Sequence, residues 1–156
     1  MAPKKTPIPE RIARNSAPAD DRGCVEWTGW KSRGYGRMNI DGHKRAVHRV
    51  AWELVNGPVP DGKILDHSCA NRACINVGHL RVATYSENNS HLYGPKSDNT
   101  HGHRNLYWDA GKQRWRALVT KDGRRYRFGS HRSLEDAVRA VEAGRAEVFG
   151  PYAGAA

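Results

Sequence analysis

The sequence has few cysteines, few acidic residues and no long apolar runs. Its three cysteines cannot all pair in intramolecular disulfides, which favours a reduced chain over a disulfide-stapled secreted one. No apolar run approaches the length of a membrane span, and the Pro- and Lys-rich N-terminus has no hydrophobic signal region. We therefore expect a soluble, cytoplasmic protein without a membrane partner.

Acidic residues are outnumbered by basic ones. The chain has 26 Lys and Arg against 16 Asp and Glu, which gives a formal net charge of +10. Such an excess on 156 residues suits a polyanion such as nucleic acid better than an acidic small substrate. A chain of this length forms one ordinary domain or two small ones, each with little apolar surface to bury, so an additional staple is expected.

Two of the cysteines belong to a regular ligand series, Cys69-x4-Cys74-x4-His79. Thiolate and imidazole are the ligands that Zn²⁺ prefers, and a zinc ion can hold a short loop that has no hydrophobic core. The series therefore predicts a structural zinc site. Cys24 is the candidate fourth ligand, and His48 is the alternative.

Directly before the zinc series stands an acid-imidazole pair, Asp66-His67. As a zinc ligand, His67 would form a tight chelate only two residues from Cys69, although the four-residue spacing already provides ligands. We therefore expect His67 to act as a general base; the alternative is that it is another zinc ligand or a surface histidine. Asn88 and Asp66 would then offer oxygen atoms to a hard divalent cation such as Mg²⁺.

The run His67-x-Cys69-x4-Cys74-x4-His79-Leu80, with Asn88 downstream, resembles the His-Cys box homing endonucleases, a branch of the HNH or ββα-metal nucleases. The resemblance covers about the middle third of the chain. It implies that His67 activates the attacking water, that Asn88 holds Mg²⁺ at the scissile phosphate, and that the cysteines and His79 hold zinc. Because that family takes its outlying ligand from an upstream cysteine, it favours Cys24. Asp66 resembles the Asp-His pair of the broader HNH group, in which the aspartate is a second metal ligand.

The segments around this motif predict a small nuclease domain over residues 23–93, after a flexible basic arm at 1–22. Alternating apolar residues after Cys24 and the Asp41-Gly42 turn predict an antiparallel sheet, which would present Arg37 and Lys44 to a DNA backbone. Arg45 or Arg49 is expected to neutralise the transition-state phosphate. Apolar spacing predicts a helix over 47–56, strands are expected at 63–66 and 80–83, and Thr84-x-x-Glu87 predicts a helix start.

A second domain is predicted over residues 104–150, after a linker at 94–103. Three strand-like runs are separated by turn sequences, and Ser133-x-x-Asp136 then opens an amphipathic helix. This pattern resembles the AP2 DNA-binding domain. The resemblance implies that one sheet face packs on the helix while the other carries the arginines that contact DNA, namely Arg114, Arg116, Arg125 and Arg127.

The sequence thus predicts an α+β protein, in which a zinc-stapled ββα-metal nuclease domain precedes a three-stranded antiparallel sheet packed on one helix. The family resemblance implies a homing-type HNH endonuclease, encoded by a phage or an intron, that hydrolyses double-stranded DNA. It would use structural Zn²⁺ and catalytic Mg²⁺, either as a monomer or as a homodimer. The alternatives are a non-catalytic zinc-stapled DNA-binding regulator and a degradative nuclease without site preference.

Overall fold

The computed structural model describes residues 5–91, 99 and 101–153, and the chain divides into two compact units, residues 1–83 and 84–156. Most of the predicted linker at 94–103 lies outside the described residues, as do residues 1–4 of the predicted arm. The predicted domain bounds of 23–93 and 104–150 stay predictions.

The first unit consists of two helices and two small antiparallel sheets. Strands β1, β2 and β3 form one sheet in that order, and β4 pairs with β5 in the other. The predicted Asp41-Gly42 turn joins β2 to β3, and both turn residues have positive φ. The elements are α1 (Ile8–Arg14), β1 (Lys31–Ser32), β2 (Tyr35–Ile40), β3 (His43–Ala46), α2 (Val47–Asn56), β4 (Ile64–His67) and β5 (Leu80–Ala83), with a 3-10 turn at Val77–His79.

Trp27 lies in the core of the first unit. Its side chain is 4% exposed and packs with residues of β2, α2 and the segment before the 3-10 turn. Glycine is required at positions 29 and 36, because a Cβ atom at either position would lie 2.8 Å from the Trp27 ring. The indole Nε1 donates a hydrogen bond to the carbonyl of Trp30, so the buried ring leaves no polar group unpaired.

The segment 1–22, predicted as a basic flexible arm in which Ile8–Arg14 could form one or two helical turns, contains a helix. Residues Ile8–Arg14 form α1, and the side chains of Ile8 and Ile12 pack against the Trp27 core. Ser16 then pairs with Trp27 in an isolated antiparallel bridge. The composition of this segment is typical of disorder, but two isoleucines one helical turn apart provide enough apolar surface to dock the helix.

The second unit contains two helices and one antiparallel sheet. Its elements are α3 (Tyr85–His91), β6 (Leu106–Asp109), β7 (Arg114–Lys121), β8 (Arg124–His131), α4 (Leu134–Phe149) and a 3-10 turn at Gly150–Tyr152. Both predicted capping boxes are confirmed, since Thr84 Oγ1 accepts from the Glu87 amide at 3.1 Å and Ser133 Oγ accepts from the Asp136 amide at 3.1 Å. In the described part of the chain, no helix combines the length and apolar character that a membrane crossing needs.

One face of this sheet packs on α4, as the sequence predicted. The buried core consists of Leu106, Ala117, Val119, Ala137, Val141 and Phe149. Gly144 allows the Phe128 ring to lie against the helix, since a Cβ atom there would come within 2.5 Å of three of the ring carbons. The order and pairing of β6, β7 and β8 follow the chain.

Arg145 is the largest fully buried side chain, at 1% exposed, and the sequence analysis did not identify it. Its guanidinium donates to Asn105 Oδ1 at 2.6 Å, to the Ser90 carbonyl at 2.7 Å and to the Ala153 carbonyl. Burial lowers the Arg145 pKa to about 10, so the group keeps its charge at neutral pH. Arg145 therefore ties the end of α3 to α4 and to the segment after it.

Candidate metal centre and imidazole cluster

Four residues of the first unit form a candidate metal centre, the one that the sequence predicted. The ligand atoms of Cys24, Cys69, Cys74 and His79 all lie within 4.8 Å of one another. His79 Nδ1 is 3.5 Å from Cys24 Sγ and 3.6 Å from Cys74 Sγ. A tetrahedral zinc with bonds of about 2.3 Å to sulfur and about 2.0 Å to nitrogen would place sulfur and nitrogen roughly 3.5 Å apart, so the four side chains fit the ion.

Cys24 and Cys74 are buried and Cys69 is half-buried, and the chemistry of these thiols also fits a cation. Burial, followed by the neighbouring thiols Cys69 and Cys74, raises the pKa of Cys24 to about 12, and burial raises the pKa of Cys74. Without a cation, the thiols of Cys24 and Cys74 would therefore stay protonated. A divalent ion supplies the positive charge that converts them to thiolates, and this makes the cluster able to bind a metal such as zinc.

Hydrogen bonds from asparagine side chains hold the loop around the centre. Asn76 donates to the Gly23 carbonyl at 2.7 Å and accepts from the Gly78 amide at 3.0 Å, so it braces the loop. Asn71 donates to Glu26 Oε1 at 2.6 Å and accepts from the Ala73 amide at 3.0 Å. These bonds join the Cys24 segment to the loop, although some fifty residues separate the two in sequence.

His67 ends β4 beside the metal centre and is 6% exposed. Its Nε2 lies 3.0 Å from the Cys74 carbonyl oxygen. A carbonyl can only accept, so Nε2 carries the proton and Nδ1 keeps the lone pair. None of the described residues forms a hydrogen bond with Nδ1. The residue that supplies a metal ligand thus also fixes the tautomer of the neighbouring imidazole.

The pKa of His67 lies below its ordinary value of 6.5. Burial is the largest cause and lowers it, the hydrogen bond with the Cys74 carbonyl and the charge of Asp66 raise it, and the charge of Arg72 lowers it. The net direction is downward. His67 is therefore neutral at pH 7, which is the form that can accept a proton.

Asp66 is 5% exposed and pairs with Arg81 across the sheet of β4 and β5. Arg81 Nε donates to Asp66 Oδ2 at 2.8 Å, and Nη2 lies 2.8 Å from the same oxygen. The sequence analysis did not identify Arg81. This contact uses an oxygen of the carboxylate that was predicted to bind metal, so arginine and metal would compete for it.

The rings of Tyr35, His48 and His67 lie close to one another. The sequence did not predict this contact. The His48 ring lies 4.8 Å from the His67 ring, and Tyr35 lies 5.5 Å from His48 and 6.0 Å from His67, all between ring centroids. The Arg72 guanidinium lies over the Tyr35 ring at 5.5 Å. We call Tyr35, His48 and His67 the imidazole cluster. His48, the alternative zinc ligand, belongs to this cluster, and Cys24 lies in the metal centre.

The predicted basic residues of the first unit fall on two faces of the β2 and β3 hairpin. Arg37 follows Tyr35 at the next position on one face, and Lys44 pairs with Asn39 on the same face. Lys44 Nζ lies 4.8 Å from the centre of the exposed Trp30 ring. Arg45 lies on the other face and donates to Glu53 Oε2 at 2.5 Å, so a carboxylate of α2 already holds it.

Asn88 lies in α3 of the second unit, after the Thr84 capping box. Its backbone amide donates to the Thr84 carbonyl at 3.0 Å, as expected in a first helical turn. The sequence analysis predicted this helix and this position in it. The metal-binding role of Asn88 stays a prediction.

The sheet of the second unit carries the predicted arginines on the face turned away from α4. Arg116, Arg125 and Arg127 are exposed, and Arg114 is half-buried and donates to the Ser130 carbonyl at 3.4 Å. On β8, Arg125 and Arg127 alternate with Tyr126 and Phe128, whose side chains pack towards the core. Arg116 pairs in register with Tyr107 of β6, which is 53% exposed. We call this surface the arginine face.

Comparison with known proteins adds a family match and several phage relatives. Residues 45–90 match the family model described as HNH endonuclease, a range that contains both histidines of the imidazole cluster and three of the four candidate metal ligands. No solved structure matches the chain.

The relatives come from bacteriophages. Protein 3.8 of Escherichia phage T7 is 36% identical over 106 residues, which is 68% of this chain and 86% of that protein. Protein 7.7 of the same phage is 40% identical over 70 residues, or 44% of this chain and 54% of that protein. The uncharacterized gene 5.3 protein of Enterobacteria phage T3 is 39% identical over 67 residues, or 38% of this chain and 66% of that protein.

Proposed function

Because the chain belongs to the family of phage T7 protein 3.8, and its residues 45–90 match the HNH endonucleases, we propose that it is a phage-encoded, metal-dependent DNA endonuclease. The observation that carries this proposal is the hydrogen bond between His67 Nε2 and the Cys74 carbonyl at the metal centre. This bond leaves a neutral imidazole with its Nδ1 lone pair available as a base, within a strongly basic chain.

In the proposed reaction, His67 Nδ1 accepts a proton from a water molecule whose oxygen attacks the phosphorus of a phosphodiester. The bond from phosphorus to the 3′ oxygen breaks, and that oxygen takes a proton from solvent. Arg37 and Arg72 add positive potential near the cluster, and Arg45 would assist if it left Glu53. The metal centre and the neutral His67 would have the same roles whether the enzyme cut one strand of the DNA or both.

Two ions complete the proposal. Cys24, Cys69, Cys74 and His79 would hold zinc, which stabilises the loop and takes no part in the reaction. Asn88, by its place in the sequence motif, would provide an oxygen ligand for Mg²⁺, with Asp66 as a second ligand in competition with Arg81. Bound Mg²⁺ would supply positive charge for the leaving oxygen.

The direct test of the proposed function is to incubate mixed double-stranded DNA with the zinc-loaded protein in two samples, one with Mg²⁺ and one with EDTA added briefly. We expect cleavage in the Mg²⁺ sample and none in the EDTA sample, and we expect the cut ends to carry 5′ phosphate. DNA binding without cleavage under any divalent ion would contradict an endonuclease and would support the non-catalytic regulator.

The arginine face is proposed to bind DNA, as in the AP2-like module that the sequence resembles. We expect Arg125→Ala and Arg127→Ala each to weaken DNA binding and to reduce the slope of log affinity against log salt by about 1 for each phosphate that the variant no longer neutralises. Arg139→Ala is the matched control, because Arg139 is exposed on α4, where it pairs with Glu135 and Asp136. An equal weakening in the control would show that net charge, rather than this face, drives binding.

A further inference from the structure

The proposed reaction gives His48 no role, although the His48 ring lies 4.8 Å from the ring of the proposed base, His67. It stands in the first turn of α2 and packs against both other rings of the imidazole cluster. Cys24 contributes the fourth ligand atom of the candidate metal centre, so His48 is not needed there. A histidine in this position either fills space or contacts the substrate.

The two ring nitrogens of His48 differ in their surroundings. Nδ1 is buried, and it has no hydrogen-bond partner among the described residues. Nε2 is not a buried atom, and the residue as a whole is half-buried, so Nε2 is the nitrogen that faces outward. A buried N–H without a partner costs more than a buried lone pair, and this favours the tautomer with its proton on Nε2. The outward nitrogen is therefore a hydrogen-bond donor.

The groups around His48 select an anion as its partner. Arg37 and Arg49 carry positive charge near it, and Arg72 lies over the neighbouring Tyr35. Burial, followed by His67 in its protonated form and by the charges of Arg37 and Arg49, lowers the His48 pKa to about 3. His48 thus stays neutral and keeps a single N–H donor beside a group of cationic side chains. A non-bridging oxygen of a phosphodiester carries negative charge and accepts hydrogen bonds. It would therefore complement the His48 donor and the cationic side chains around it.

We infer that His48 is a catalytic residue, which donates its Nε2–H to a non-bridging oxygen of the phosphodiester that the His67-activated water attacks. The inference rests on the proposed function and adds a substrate contact to it. Negative charge grows on these oxygens as water attacks, so the bond strengthens in the transition state. His48 and His67 then divide the work, one holding the phosphate and the other accepting the proton.

The test compares His48→Leu and His48→Gln with the parent in steady-state DNA cleavage. Leucine fills space without a donor, whereas the glutamine amide can still donate. We expect His48→Leu to lower kcat by about 10²-fold with KM little changed, and His48→Gln to recover at least about tenfold of that loss. Zinc content and Tm should stay at parent values. His43→Leu, at an exposed histidine of β3, is the matched control and should cleave normally.

Two outcomes would overturn the inference. They are normal cleavage by folded His48→Leu and equal losses of activity in the two folded variants. If His48→Leu does not fold, folded His48→Gln decides, since activity within about tenfold of the parent supports the donor role and a loss of about 10²-fold contradicts it. A parent that fails to cleave DNA with Mg²⁺ would overturn the proposed function, whereas a cleaving parent with an unaffected His48→Leu overturns only the role of His48.

Discussion

Replacement of His67 by alanine is expected to reduce DNA cleavage by about 10²- to 10⁴-fold, the contribution of a positioned general base. His67 is the one member of the imidazole cluster whose tautomer is fixed by a backbone carbonyl, and no metal ligand is removed with it. Zinc content and DNA affinity should therefore stay near parent values. The measurement is single-turnover cleavage of supercoiled plasmid beside zinc analysis of the same samples.

The matched control for His67→Ala is His43→Ala, which removes an exposed imidazole from the same unit. The acid limb of the parent's pH profile gives a second readout. Because the His67 pKa is lowered from 6.5, cleavage should fall only as the pH drops below that value, where the imidazole becomes protonated. Cleavage by His67→Ala at the parent rate would refute a base at this position.

Removal of zinc is expected to have the largest effect on stability. The loop from 67 to 80 lies between β4 and β5, and the candidate metal centre joins it to the Cys24 segment. Zinc binding to structural sites contributes about 10–16 kcal/mol in zinc-finger peptides, and this binding energy is folding energy. A strong chelator should thus unfold the first unit, lower its Tm by tens of degrees and abolish cleavage, as followed by circular dichroism and plasmid assay.

A pair of histidine variants separates this effect from general damage. His79→Ala removes a ligand atom of the centre, whereas His43→Ala removes a histidine outside it. We expect the first variant to lose zinc affinity and thermal stability and the second to match the parent. A chelated protein that keeps its Tm and its cleavage rate would contradict the structural role of the metal.

Much of the local structure follows from the sequence because its signals are local. The periodic apolar residues Val47, Val50, Ala51, Leu54 and Val55 predict α2, and the helix buries the first three but leaves Leu54 and Val55 exposed. The two capping boxes mark the starts of α3 and α4, and the four-residue ligand spacing marks the metal loop. Each of these signals depends on residues within one or two turns of one another.

The features that the sequence did not reveal depend on pairing between distant segments. Tyr35, His48 and His67 stand on a strand, a helix and another strand, and only the fold brings their rings together. The contact between Asp66 and Arg81 depends on the register of β4 and β5. The burial of Arg145 depends on backbone carbonyls at Ser90 and Ala153, which no side-chain pattern encodes.

The central claim is that the loop of the metal centre holds His67 as a neutral base with its proton on Nε2. Long-range ¹⁵N–¹H NMR of the histidine rings in the zinc-loaded protein at pH 7 measures this tautomer directly. We expect a single His67 form with Nε2 protonated and Nδ1 bare. A His67 ring with its proton on Nδ1, or one that exchanges freely between both tautomers, would contradict it.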